Sequence, residues 1–122
     1  MRVKDAVGRY GEDVAARYLS AAGLVIVERN WRCRAGEVDI IATDGPVLVF
    51  CEVKTRSSLT FGSPAEAITP AKAARIRRLA LQWLAANRDG SSSFWPELRF
   101  DVVSVLRQRE HPPLVEHYPA AF

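Results

Sequence analysis

Asp39, Glu52 and Lys54 interrupt the apolar runs of the stretch "GEVDIIATDGPVLVFCEVKTR", Gly36 to Arg56. A charge in such surroundings is costly unless it is paired or holds a cation. Two carboxylates side by side repel one another, and a divalent cation between them removes that repulsion. Oxygen ligands without His or Cys partners suit Mg²⁺ or Mn²⁺ rather than zinc. A neighbouring ammonium can orient a water, help deprotonate it, or hold charge developing on a phosphate. Asp, Glu and Lys around a metal therefore read as phosphodiester hydrolysis. The competing reading is an ion pair of Lys54 with Glu52 or Asp39 that serves only the fold.

Whether the carboxylates meet depends on register. Side chains alternate along a strand, so Leu48, Phe50, Glu52 and Lys54 share one face. Glu37, Asp39, Ile41 and Thr43 share a face of the preceding strand. Asp44-Gly45 between apolar runs is a strong hairpin signal. A two-residue turn there pairs Asp39 with Phe50 and leaves it diagonal to Glu52, about 7–8 Å away between backbones. A turn at Gly45-Pro46 pairs Asp39 with Glu52 directly, and an odd loop sends Asp39 to the other face. The expected turn is the even one at Asp44-Gly45.

The surrounding elements follow from periodicity. Val7, Tyr10, Val14, Tyr18 and Ala22 recur at helical spacing, predicting a helix over Asp5–Ala22 that stops at Gly23. Gly8 and Gly11 lie inside it, each at a cost of about 1 kcal/mol relative to Ala, a hint of close approach or a tolerated imperfection. Leu24–Glu28 is a short strand, and "RNWRCRAG", Arg29–Gly36, a basic loop or strand end. Strands at Val38–Thr43 and Val47–Lys54 flank the turn, and both faces of the second are apolar, as in a central strand. Ser57–Ala67 reads as a loop. Thr69 as N-cap and Pro70 as first residue open a helix running to about Asn87. Asn87–Ser93 is a link, Leu98–Leu106 a strand, and Leu114–Tyr118 an edge strand behind Pro112-Pro113. The order is α-β-β-β-α-β-β.

With 122 residues the chain suits one domain, residues 1–122. A net charge of +3 tilts mildly toward an anionic partner. No apolar run reaches the roughly 18 residues of a membrane span, and no signal-peptide core follows the N-terminus, so the expected setting is cytoplasmic, without a membrane partner. Cys33 and Cys51 lack zinc-like spacing and read as free thiols. No phosphate-binding glycine loop marks a nucleotide-cofactor enzyme.

Asp39 followed by Glu52-Val53-Lys54 resembles the PD-(D/E)xK nuclease motif, with Val38 in place of the motif's proline. Over most of its length the chain resembles the YraN-like family of small bacterial proteins, related in fold to archaeal Holliday junction resolvases. The matching segments are "GRYGEDVAARYL", "ERNWRCRAGEVDIIA", "VFCEVKTR", "GSPAEAITPAKAARI" and "RFDVV". The resemblance implies a restriction-endonuclease-like α/β fold, a mixed central sheet of four to five strands flanked by helices. It implies a metal, Mg²⁺ or Mn²⁺, at Asp39, Glu52 and the Val53 carbonyl, with Lys54 as catalytic lysine. Glu12 matches a resolvase glutamate that joins the site, although its position on the helix flank alone reads as solvated. The implied activity is endonucleolytic cleavage of DNA, branched or damaged DNA in particular, by a homodimer. The rival is a non-catalytic nucleic-acid-binding module that keeps the nuclease fold.

The second helix is basic. Ile76, Leu79, Ala80 and Trp83 form its buried stripe, flanked by Arg75 and Arg77. Lys72 projects on the buried side of its first turn, where a lysine either snorkels out or reaches a carboxylate. The expectation is that Lys72 points at the Asp39–Glu52 site and contacts substrate phosphate. Arg56 follows Lys54 at the strand end, and with Arg75 and Arg34 completes the candidate phosphate contacts. Trp31 reads as a staple under its loop or a base-stacking ring. Asp101 is expected to pair with a helix arginine, and His111 and His117 to lie at the surface.

Overall fold

The computed structural model describes residues 3–57, 68–87 and 97–122. The expected loop beyond Ser57, and the expected link after Asn87 with Arg88, lie outside the described residues. Its elements are α1 (Val3–Ala21), β1 (Val25–Cys33), β2 (Gly36–Asp44), β3 (Val47–Arg56), α2 (Pro70–Ala86), β4 (Glu97–Leu106) and β5 (Leu114–Tyr118). The strands form one mixed sheet, ordered β1-β2-β3-β4-β5. β3 and β4 are parallel, and the other neighbours are antiparallel. Parallel neighbours need a crossover, and α2 occupies the chain between them. This is the expected α/β architecture and element order.

β3 is covered on both sides, as its two apolar faces require. Ile40, Ala42, Val49 and Cys51 pack with Ala15 and Leu19 of α1. Ile41, Leu48 and Phe50 pack with Leu79, Ala80 and Trp83 of α2. Each large side chain buried this way contributes roughly 1.5–3 kcal/mol. Phe50 also meets Trp83 edge-on and stacks on Phe100, with ring centroids 6.0 and 5.8 Å apart.

Three local expectations are corrected. The buried face of α1 is rotated from the expected stripe: Gly11, Ala15 and Leu19 face the sheet, whereas Tyr18 is 41 % exposed. Small residues allow this, because a Cβ on Gly11 would collide with Thr55 Oγ1. β1 continues to Cys33, so "RNWRC" is strand and Arg34-Ala35 form the turn into β2. Trp31 in it packs half-buried against the α2-side core, the stapling role.

The third correction is the β2–β3 turn. Asp44 pairs with Val47, so the two turn residues are Gly45-Pro46, not Asp44-Gly45. An Asp-Gly type I′ turn needs positive φ at both residues, and Asp44 stays out of that region. Instead Asp44 accepts from Arg99 Nη1 at 2.9 Å. Gly45, with φ 58°, suits the first position of a type II′ turn, and Pro46 supplies the negative φ of the second.

Candidate active site

The even turn sets the register that ends at the site. The last β2–β3 pair is Ile40 with Cys51, so the next rung would bring Asp39 opposite Glu52. The ladder opens there. Val53 donates its backbone N–H to Asp39 Oδ2 at 2.8 Å. β2 swivels at this point, since Val38 joins the α2-side core and Ile40 the α1-side core. Asp39 consequently lines a cleft beneath α1 with Val53 and Thr55, while Glu52 sits on the α2 side of the sheet. Burial pushes the Asp39 carboxyl up to about 7, and the charges of Glu52, Glu12 and Glu37 add to the rise against the Val53 hydrogen bond.

Glu52 gathers two cations on one oxygen. Its Oε1 lies 3.3 Å from Lys54 Nζ and 3.8 Å from Lys72 Nζ. Lys72 is aimed there by the helix start. Thr69 caps α2 by accepting the Lys72 N–H at 3.1 Å, and Pro70 opens the helix. The Lys72 ammonium is held below the usual lysine range by Lys54 first, then by burial. Two ammoniums against one carboxylate leave a local surplus of positive charge.

Glu12 is buried, 7 % exposed, rather than solvated. It accepts from Arg29 Nε at 3.2 Å and Asn30 Nδ2 at 2.7 Å. Desolvation raises its pKa despite the opposing Arg29 guanidinium. Asn30 reaches it from a left-handed backbone, φ 54°, in β1. Glu37 is exposed and pairs with Arg32 at 2.9 Å. Glu12, Glu37 and Asp39 all line the cleft, whose volume is about 950 Å³. Among the described residues no three His, Cys, Asp or Glu side chains stand as a ready-made cation cage.

The remaining basic residues divide. Arg75 lies close enough to Lys72 to lower its pKa, and its Cδ approaches Gly36. Arg34 is exposed in the β1–β2 turn. Arg56, half-buried at the end of β3, accepts the Arg107 N–H on its carbonyl at 2.8 Å. Arg77 lies over the Phe100 ring, 5.3 Å from its centroid.

Asp101 is fully buried and does not use a helix arginine. Arg99 of its own strand donates twice, at 2.9 and 2.8 Å, and the Ala120 N–H once, at 3.0 Å. His117 is likewise not at the surface: its Nε2 lies 2.7 Å from Asp101 Oδ2. An i, i+2 pair on one strand face allows the first contact, and β4–β5 pairing supplies the second. The pairing of Glu12 with Arg29 and Asn30 is not legible in the sequence, because nothing local connects "RN" to a glutamate 17 and 18 residues earlier.

The model of "Uncharacterised protein family UPF0102" matches residues 11–105, from Gly11 of α1, next to Glu12, to the penultimate residue of β4. A UPF0102 protein of Frankia casuarinae is 57 % identical over 122 residues, covering all of both chains. One from Beutenbergia cavernae is 58 % identical over 117 residues, 96 % of each chain. One from Nocardia farcinica is 56 % identical over 119 residues, 98 % of this chain and 91 % of its own. Matched over most of its length, the chain belongs to the UPF0102 family, in agreement with the YraN-like resemblance.

Proposed function

We propose that this protein is a metal-dependent endonuclease-type phosphodiesterase acting on DNA. The observation that carries the reading is the Val53 N–H to Asp39 hydrogen bond, 2.8 Å. It ties Asp39 to the main chain between Glu52 and Lys54, so an Asp, a Glu, a carbonyl and an ammonium belong to one local unit. Branched or damaged DNA, and a dimeric grip on it, come from the resolvase resemblance alone.

A hard divalent ion fits these residues. The donors are oxygens only, and Asp39 has a raised pKa because burial first, and then the charges of Glu52, Glu12 and Glu37, oppose its ionisation, a cost that a cation relieves. Asp39 and the Val53 carbonyl would hold the ion, with Glu12 beside Asp39 in the cleft, and Glu52, on the α2 side of the sheet, would have to leave its two lysines to join them. When bound, Mg²⁺ or Mn²⁺ supplies Lewis-acid stabilisation and a more acidic water. Lys54 is the group that would orient the attacking water or hold charge developing on the phosphate. Lys72, on the same Glu52 oxygen, adds the positive charge that draws a phosphate in. Arg75, Arg34 and Arg56 extend the contact along the strand.

One observation favours the binding-module reading: both lysines are already satisfied by Glu52, an arrangement complete without chemistry. Cleavage of end-labelled branched, single-stranded and duplex DNA in Mg²⁺ or Mn²⁺ separates the two, with Lys54→Ala alongside. Metal-dependent cleavage lost in Lys54→Ala supports hydrolysis. Binding without cleavage supports the module, and equal cleavage by the variant refutes the role of Lys54.

A further inference from the structure

The two glycines inside α1 have different reasons to be there. Each costs the helix about 1 kcal/mol relative to Ala. Gly11 is explained by contact, since any side chain would collide with Thr55. Gly8 has no such explanation among the described residues: a Cβ built there meets none of their atoms within 4 Å outside its own helix backbone and chain neighbours. Gly8 is exposed, yet it lines the same cleft as Asp39 and Glu12. It lies one turn before Glu12 on the same helix face, about 6 Å farther out along the axis. Arg9 of α1 and Arg32 of β1 also line the cleft. The fold therefore leaves bare helix at Gly8 beside the carboxylates, with Arg9 and the Arg32–Glu37 pair also lining the cleft.

We infer that Gly8 is the floor over which the sugar–phosphate chain of an unpaired nucleic-acid strand runs toward Asp39, between Arg9 and Arg32. This rests on the proposed function and adds the path and the form of the substrate. Bare backbone lets a bulky polymer approach closely, one of the uses that glycine serves. The half-open cleft between α1 and the β1–β2 hairpin, about 950 Å³, is room for a short run of one strand. The carboxylates inside would repel phosphate in the absence of a cation, so binding requires a divalent ion.

The test compares the wild type, Gly8→Ala, Gly8→Leu and Asp39→Asn of the full chain. Binding of a labelled single-stranded oligonucleotide is followed by fluorescence anisotropy in Ca²⁺, and cleavage in Mn²⁺. Gly8→Leu should weaken single-strand binding by roughly tenfold or more, and Gly8→Ala by much less. Both variants should melt at or above the wild-type temperature, because Leu and Ala are better helix formers than Gly. Unchanged binding by Gly8→Leu overturns the inference. So does a wild type that binds no single strand, or that binds a blunt duplex as tightly. If Gly8→Leu keeps binding and cleavage while Asp39→Asn loses cleavage, only the path is wrong. If Gly8→Leu loses binding and the wild type never cleaves, only the catalytic reading is wrong.

Discussion

Asp39 and Val53 are joined at 2.8 Å, side chain to main chain, where the β2–β3 ladder stops. The carboxylate thus replaces a strand partner and is itself positioned by the residue between Glu52 and Lys54. Asp39→Ala leaves the Val53 N–H without its acceptor and should cost about 1–3 kcal/mol. Asp39→Asn keeps an acceptor and should fold at least as well as the wild type. Both should lose the rise in melting temperature that Mn²⁺ is expected to give the wild type. Thermal melts with and without Mn²⁺ read all three effects.

The same carboxylate makes stability depend on pH. Its folded pKa, about 7, lies above the ordinary 3.8, so between those values the folded protein holds a proton that the unfolded chain has released. Stability from this group is full below about 3.8 and is lost as pH rises to about 7. Asp39→Asn removes the loss. Without metal it should therefore gain on the wild type as pH rises through that window. The gain should be on the order of 2 kcal/mol, discounted for solvent that reaches the cleft. Urea melts across pH measure it, and a difference that stays flat would reject the assignment.

The two lysines on Glu52 should separate kinetically. Lys54→Ala should lower kcat by about 10²–10⁴-fold, as loss of a group acting on the reacting atoms does. Lys72→Ala should mainly raise KM and reduce the salt slope of binding by about one, as loss of one phosphate contact does. Steady-state cleavage over a series of salt concentrations makes the distinction.

Asp101 belongs to the scaffold. Burial works to raise its pKa, but hydrogen bonds from His117, Arg99 and the Ala120 N–H outweigh it and hold the carboxyl below the ordinary range. It therefore contributes stability that is present above the ordinary aspartate range and lost as pH falls through the folded value. Asp101→Ala breaks a buried network and should cost about 3–5 kcal/mol in a urea melt. Cleavage per folded molecule should be unchanged.

The parts legible from sequence were those with local signals. Thr69-Pro70 fixes the start of α2, and with it the placement of Lys72 against Glu52. The apolar runs of β3 announced a strand covered on both sides. The turn was read with the right parity but one residue early, because the choice between Asp44-Gly45 and Gly45-Pro46 follows from Arg99, distant in sequence, holding Asp44. The α1 face was misjudged because periodicity weights Tyr18 by hydrophobicity, whereas packing selected Gly11 and Ala15 by size. Burial of Glu12 and His117 depends on partners in other elements, and no spacing rule carries that information. The swivel at Asp39 was likewise invisible, since alternation assumes an unbroken ladder.

The central claim is that the Asp39–Val53 tether builds a cation site with Glu52. Anomalous diffraction from crystals soaked in Mn²⁺ above the Asp39 pKa tests it most directly. The account predicts a peak bounded by Asp39, Glu52 and the Val53 carbonyl, absent in Asp39→Asn. No peak at those atoms in wild-type crystals, or an unchanged peak in Asp39→Asn, would contradict it.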